Sequence, residues 1–228
     1  MSEIINRMID YPSNGQTTPA FLARPMQDKA PGLVVIQEWW GLVPHIMDVC
    51  ERFAHHGYVA LAPDLYHGQA ASEPDEARKL AMELDRDRAV QEIVAALQFL
   101  RGLEQVSPKK VGVVGWCMGG GLAVVTAAAS QEVDAVVSFY GMPRDLNLAA
   151  SIRAPLLGLY AEHDHSIPLD LVHAFRKELE AHNVKHDVRI YLGAQHAFFN
   201  DTRPNIYDPE SARDAWTRTL EWFRTYLT

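Results

Sequence analysis

The stretch Val111-Gly112-Val113-Val114-Gly115-Trp116-Cys117-Met118-Gly119-Gly120-Gly121 decides how the rest of the chain is read. A Val-rich run reaches Gly115, one bulky residue follows, then a cysteine and three glycines, and Leu122-Ala123-Val124-Val125 continues at helical spacing. That pattern is a buried strand passing through a sharp turn into a helix, with Cys117 at the apex. A side chain at Gly115 or Gly119 would collide with the neighbouring strand or with the backbone at the apex, so the turn needs glycine at both. The apex side chain is thereby pushed out over the sheet edge. There it meets a helix N-terminus, whose unpaired N–H groups and dipole favour a thiolate. The amide of Met118 points to where an oxyanion would develop. A buried structural cysteine in a Gly-rich turn is the competing reading, and the companion residues decide between the two.

At 228 residues, 48% of them hydrophobic, the chain fits one substantial domain, 1–228, with a core that needs no covalent staples. Two cysteines, Cys50 and Cys117, cannot make a disulfide framework, which points to a reducing, cytoplasmic setting. The opening Met1-Ser2-Glu3-Ile4-Ile5-Asn6-Arg7 lacks the basic start and long apolar run of a signal peptide, and no stretch approaches a membrane span. With 29 acidic against 21 basic residues, a net charge of −8 and no Lys/Arg block, nucleic acid and acidic membranes are poor partners. The acidic residues between Glu73 and Asp87 read as a solvated helix face.

Ile4 to Ile9 and Pro19 to Ala23, separated by the turn cluster Ser13-Asn14-Gly15-Gln16, read as an opening hairpin that covers one sheet edge. Leu33-Val34-Val35-Ile36 is a buried strand that runs into Gln37-Glu38-Trp39-Trp40-Gly41, and Ile46 to His56 has helical spacing. Tyr58 to Ala62 is the next strand. Ser72 with Asp75 resembles a capping box, opening a helix expected to run to Leu100. After the Cys117 turn, strands are expected at Asp134–Phe139, Pro155–Tyr160 and Val188–Leu192, and helices at Leu169–His182 and Ser211–Tyr226. Strands alternating with helices predict an α/β fold, a mostly parallel central sheet with helices on both faces. The order is that of the α/β-hydrolases.

In that fold an acid and then a histidine follow the nucleophile, each in a loop after a later strand. Leu156 to Tyr160 leads into Ala161-Glu162-His163-Asp164-His165-Ser166-Ile167-Pro168, which places Asp164 in such a loop. Val188 to Leu192 leads into Gly193-Ala194-Gln195-His196-Ala197-Phe198-Phe199, which places His196 in the last one. His163 and His165 beside Asp164 raise a metal site as an alternative. Against it, alternate residues in a tight loop point apart, and no second ligand cluster has the usual spacing.

Gln37-Glu38 after a buried strand, Gly115-Trp116-Cys117-Met118-Gly119-Gly120, Asp164 with Ile167-Pro168, and Gly193-Ala194-Gln195-His196-Ala197-Phe198 together resemble the dienelactone hydrolase family, the carboxymethylenebutenolidases. The resemblance runs from about Ile4 to Tyr226. It implies a hydrolase of small lactones or activated esters, without a metal or cofactor, working through a thioacyl-enzyme. Cys117 would be the nucleophile, His196 the general base and acid, and Asp164 the residue that orients His196. By resemblance the amide of Trp39 joins that of Met118 as an oxyanion donor, and Glu38 accepts a hydrogen bond from the resting thiol until substrate binds.

The sequence also departs from the family, whose lactone hydrolases hold a substrate carboxylate with two arginines. The matching positions here are Asn200 and a place near Pro74, neither basic. Arg78 and Arg203 are close enough in sequence to substitute, but the departure leads to an expectation of neutral substrates. Trp39, Trp40, Trp116, Tyr140 and Phe198 cluster about the expected site, as pocket walls or as core. A thiol-based redox sensor on a hydrolase scaffold is the alternative function. It is weakened because Cys50, on a helix remote in order from Cys117, makes a poor resolving cysteine. Oligomeric state is not legible.

Overall fold

The computed structural model describes residues 3–26 and 29–228. In chain order the elements are β1 (Ile4–Ser13), β2 (Gln16–Pro25), β3 (Ala30–Ile36), α1 (Pro44–His55), β4 (Val59–Pro63), α2 (Pro74–Glu83), α3 (Arg86–Gly102), β5 (Val106–Trp116), α4 (Met118–Ala129), β6 (Ala135–Phe139), a 3₁₀ turn (Leu146–Ser151), β7 (Leu156–His163), α5 (Leu169–Ala181), β8 (His186–Gln195) and α6 (Pro209–Leu227). All eight strands join one sheet in the order β1-β2-β4-β3-β5-β6-β7-β8. β1 pairs antiparallel with β2, and β2 antiparallel with β4. From β4 onward every pairing is parallel. The opening hairpin covers the sheet edge as expected, turning on Asn14 and Gly15 with φ of 50° and 73°, the geometry a two-residue hairpin loop demands.

β3 shows why its sequence is a continuous apolar run. Val34 and Ile36 pack into one core with Ile93 and Leu97 of α3 and Leu122 of α4. Leu33 and Val35 pack into a second core with Phe53 of α1 and Phe223 of α6. A parallel strand covered on both faces cannot alternate polar with apolar residues, because each face needs its own buried side chains.

One expected helix is two. The residue before α2 is Glu73, whose side chain makes no capping bond, and Leu84 is extended after Glu83. Asp85 then caps α3, its Oδ1 accepting the amide of Arg88 at 3.1 Å. A short carboxylate that satisfies an unpaired N–H belongs at a helix start rather than in a helix interior, so Asp85 ends one helix and begins the next. The break sets Arg86 at the head of α3.

From β3 the chain crosses to β4 on one side, and from β5 to β6 on the other. The loops after β3 and β5 therefore diverge, and a crevice opens at the carboxyl edge of the sheet. At that point Cys117 has φ 55° and ψ −118°, and its amide donates to the carbonyl of Phe139 at 3.0 Å. The glycines permit the approach. A Cβ on Gly115 would lie 2.1 Å from the Gly119 oxygen, and one on Gly119 would lie 2.4 Å and 2.5 Å from the oxygens of Gln37 and Ile36. Gly119→Ala is accordingly expected to destabilise the protein by about 3 kcal/mol, the upper range for overpacking against backbone. The denaturant midpoint checks this, and a midpoint equal to that of wild type would show that the turn relaxes freely.

Candidate active site

Parallel strands ending at one edge bring together residues far apart in sequence. Glu38 follows β3, Cys117 follows β5, Tyr140 follows β6, Asp164 follows β7 and His196 follows β8. Asp164 is buried and its oxygens are fully engaged. Oδ1 accepts the amides of Ser166 at 2.8 Å and Ile167 at 3.0 Å, and Oδ2 lies 2.6 Å from Nδ1 of His196. With Nδ1 committed to Asp164, the other ring nitrogen is left for Cys117, which lines the same pocket. Burial alone would lower the His196 pKa. Its bond to Asp164 and the neighbouring Cys117 outweigh that and raise it from 6.5 to about 10.

Glu38 is held differently from the resemblance's implication. It is buried, and Oε2 accepts from Nδ2 of Asn200 at 2.7 Å, while the Tyr140 hydroxyl donates to Oε1 over a long 3.5 Å. No hydrogen bond between Glu38 and the thiol is present among the described residues. Burial pushes the Glu38 carboxyl above its usual range, opposed by the charge of His45 and the bond from Asn200. Asn200 is thus a buried support for Glu38 rather than part of the pocket wall.

A pocket of ≈ 460 Å³ opens over Cys117 and His196. Trp39, Trp40 and Tyr140 line it, with Ile167 and Leu171 on the apolar side. Trp39 and Trp40 meet edge to face at 5.1 Å. Phe198 and Trp116 are core residues. Phe198 is fully buried against Tyr191 and Tyr140, and Trp116 stacks on Phe139 at 5.1 Å. Arg78 is not at the site: it is exposed on α2 and pairs with Asp75 at 3.4 Å. His163 and His165 are exposed while Asp164 turns inward, and among the described residues no three His, Cys, Asp or Glu side chains are placed to hold a metal. No helix among them is long and apolar enough to cross a membrane.

Three arginines line the pocket: Arg203, and two that sequence reasoning does not reach, Arg86 and Arg144. Arg203 lies over the Trp40 ring, 5.6 Å from its centroid. Burial and then the charge of Arg144 depress the pKa of Arg86, so the two guanidinia repel one another. Among the described residues no carboxylate forms an ion pair with any of the three. The signals for the missed pair lie in the sequence. Arg144 falls in the loop at the carboxyl end of β6, and Arg86 directly follows a helix-capping aspartate, which an unbroken helix from Ser72 hides.

The family model described as the dienelactone hydrolase family matches residues 18–227. The chain belongs to that family. Protein usf of Aquifex pyrophilus is 38% identical over 98% of this chain and all of its own length. A protein of Aquifex aeolicus, provisionally named a carboxymethylenebutenolidase, is 36% identical over the same shares. A crystal structure of a provisionally assigned dienelactone hydrolase from Klebsiella pneumoniae superposes with a TM-score of 0.90 at 32% identity, covering 99% of this chain and all of that one. The protein is a dienelactone hydrolase-like enzyme that acts on carboxylic ester or lactone bonds, built on the α/β-hydrolase fold.

The raised pKa of His196 fixes the sign of a pH effect. The folded value lies above the ordinary 6.5, so this group's contribution to stability is complete below about pH 6.5 and lost as pH rises through about 10. The stability gap between wild type and His196→Gln should therefore narrow between those limits. Denaturant unfolding at intervals from pH 6 to pH 10.5 checks it, and a gap that widens with pH contradicts the assignment.

Proposed function

We propose that the protein hydrolyses lactones or activated esters bearing an anionic group, through a thioacyl-enzyme on Cys117. The observation that carries this reading is His196, held at 2.6 Å by buried Asp164 and lining one open pocket together with Cys117. In the first step the Cys117 thiolate attacks the carbonyl carbon, a C–S bond forms and the carbonyl pair moves onto oxygen. The Met118 amide opens α4 and has no acceptor within its helix. It and the amide of Trp39 receive that oxyanion. His196 gives its proton to the departing alkoxide as the C–O bond breaks. For a lactone the alkoxide stays tethered to the acyl chain. Water then attacks the thioester, His196 takes its proton, and the acid leaves as the thiolate is restored.

Arg86, Arg144 and Arg203 argue for an anionic substrate, against the neutral one that Asn200 and Pro74 suggest. Two guanidinia that repel each other without a carboxylate between them gain from a bound anion, and a carboxylate can bridge them. Glu38, pinned by Asn200, serves as a fixed wall of the pocket rather than as a gate on the thiol.

Two outcomes test this reading. Cys117→Ala is expected to lower kcat for an aryl ester by at least about a thousandfold, as for other triad members, and a folded variant keeping a tenth of wild-type turnover contradicts it. Replacing both Arg86 and Arg144 by Ala should cut kcat/KM for a carboxylate-bearing lactone about tenfold to a hundredfold, the worth of one or two hydrogen bonds to a charged group. A neutral ester should be little affected. Equal losses on both substrates would remove the anion role.

A further inference from the structure

Tyr66 lies outside every motif used so far, yet its hydroxyl reaches both residues assigned to the oxyanion hole. It donates to the carbonyl oxygen of Trp39 at 3.1 Å and contacts the sulfur of Met118 at 3.6 Å. The side chain is 5% exposed. Its own backbone is fixed by Asp64, a buried residue whose Oδ1 accepts the Tyr66 amide at 3.1 Å and whose Oδ2 accepts the Gly68 amide at 2.6 Å.

The same loop is joined to the Glu38–Trp40 segment at further points. Oε1 of buried Gln37 accepts the amide of Leu65 at 3.3 Å. The amide of Ala71 donates to Trp40 at 2.9 Å, and Gly41 and Ala70 form an isolated antiparallel bridge. These bonds tie the loop after β4 to the loop after β3 along its length. Tyr66 also touches Met118, the first residue of α4. It therefore stands where the carriers of both oxyanion donors can be held relative to each other. Burial raises the phenol pKa, with the Cys117 charge adding to it, so the hydroxyl remains a donor throughout the working range.

We propose that Tyr66 is a positioning residue for the oxyanion hole: its hydroxyl pins the Trp39 carbonyl from behind and keeps the Trp39 and Met118 amides aimed at one point. A residue whose carbonyl is anchored has little freedom to swing. Its amide then stays oriented before substrate arrives, and oriented donors are what stabilise charge that develops only in the transition state. The inference rests on the assignment of Trp39 and Met118 in the proposed mechanism, and it is independent of the identity of the acyl group.

The test separates donor alignment from nucleophile activation and from folding. Tyr66→Phe keeps the ring and removes only the hydroxyl. Turnover of p-nitrophenyl acetate is expected to lose about tenfold to a hundredfold in kcat, less than outright loss of an oxyanion donor, with KM within about twofold of wild type. Alkylation of Cys117 by iodoacetamide forms no oxyanion, so its rate should stay within about twofold at each pH from 6 to 9. Wild-type kcat in Tyr66→Phe overturns the proposal. So does alkylation that falls in step with kcat, or a Phe variant that fails to fold, either of which would mark the contact as structural. Loss of ester turnover in Cys117→Ala together with an unimpaired Tyr66→Phe would sink this inference and leave the proposed function standing.

Discussion

The backbone of Cys117, held at φ 55° and ψ −118°, is the constraint on which the site depends. A non-glycine residue in that region costs on the order of 1–3 kcal/mol and persists only where its surroundings leave no alternative. The surroundings here are backbone. α4 presses Gly119 against the carbonyls of Ile36 and Gln37, closer than any side chain would allow, and Gly120 and Gly141 pack against each other in the same way. The Cys117 amide is bonded across to β6. One packing decision thus puts the thiol at a helix N-terminus, sets the Met118 amide beside it, and presents both to the loops that carry Glu38, Asp164 and His196.

Positive side chains gather at this edge of an acidic protein. The chain carries a net charge of −8, while Arg86, Arg144 and Arg203 gather at one pocket without ion-pair partners among the described residues. Under the proposed function, this local positive charge on an acidic protein would draw an anionic substrate to the pocket. Glu38 does not cancel this simply. Its burial disfavours the charged form, and its bonds to Asn200 and Tyr140 hold it in place whichever form is present. Asn200, read from sequence as the loss of a substrate-binding arginine, has a structural task of its own.

Much of the fold was legible because it is written in local patterns. Unbroken apolar runs mark doubly covered parallel strands, and the glycines around Cys117 mark a turn that nothing bulkier can make. Asp164 and His196 were legible for a related reason: each directly follows a strand, and parallel strands deliver their ends to one edge. The failures were of two kinds. The break at Asp85 was missed because an acidic residue looks the same in a solvated helix face as at a cap, and only its bond to Arg88 tells them apart. The fates of Phe198, Asn200, Arg78 and Arg144 depend on distances between loops, which neither periodicity nor spacing encodes. Tyr66 belongs to the second kind, because its contacts reach from its own loop to Trp39 after β3 and to Met118 at the start of α4.

The central claim is covalent chemistry at Cys117, and its most direct test is to catch the intermediate. Wild-type protein mixed with excess p-nitrophenyl acetate, quenched in acid within milliseconds and digested, can be read by mass spectrometry. An acetyl group on the peptide containing Cys117, formed no more slowly than turnover and released by hydroxylamine as a thioester is, is the predicted result. Steady turnover with that peptide unmodified, or with the acyl group on another residue, would contradict it.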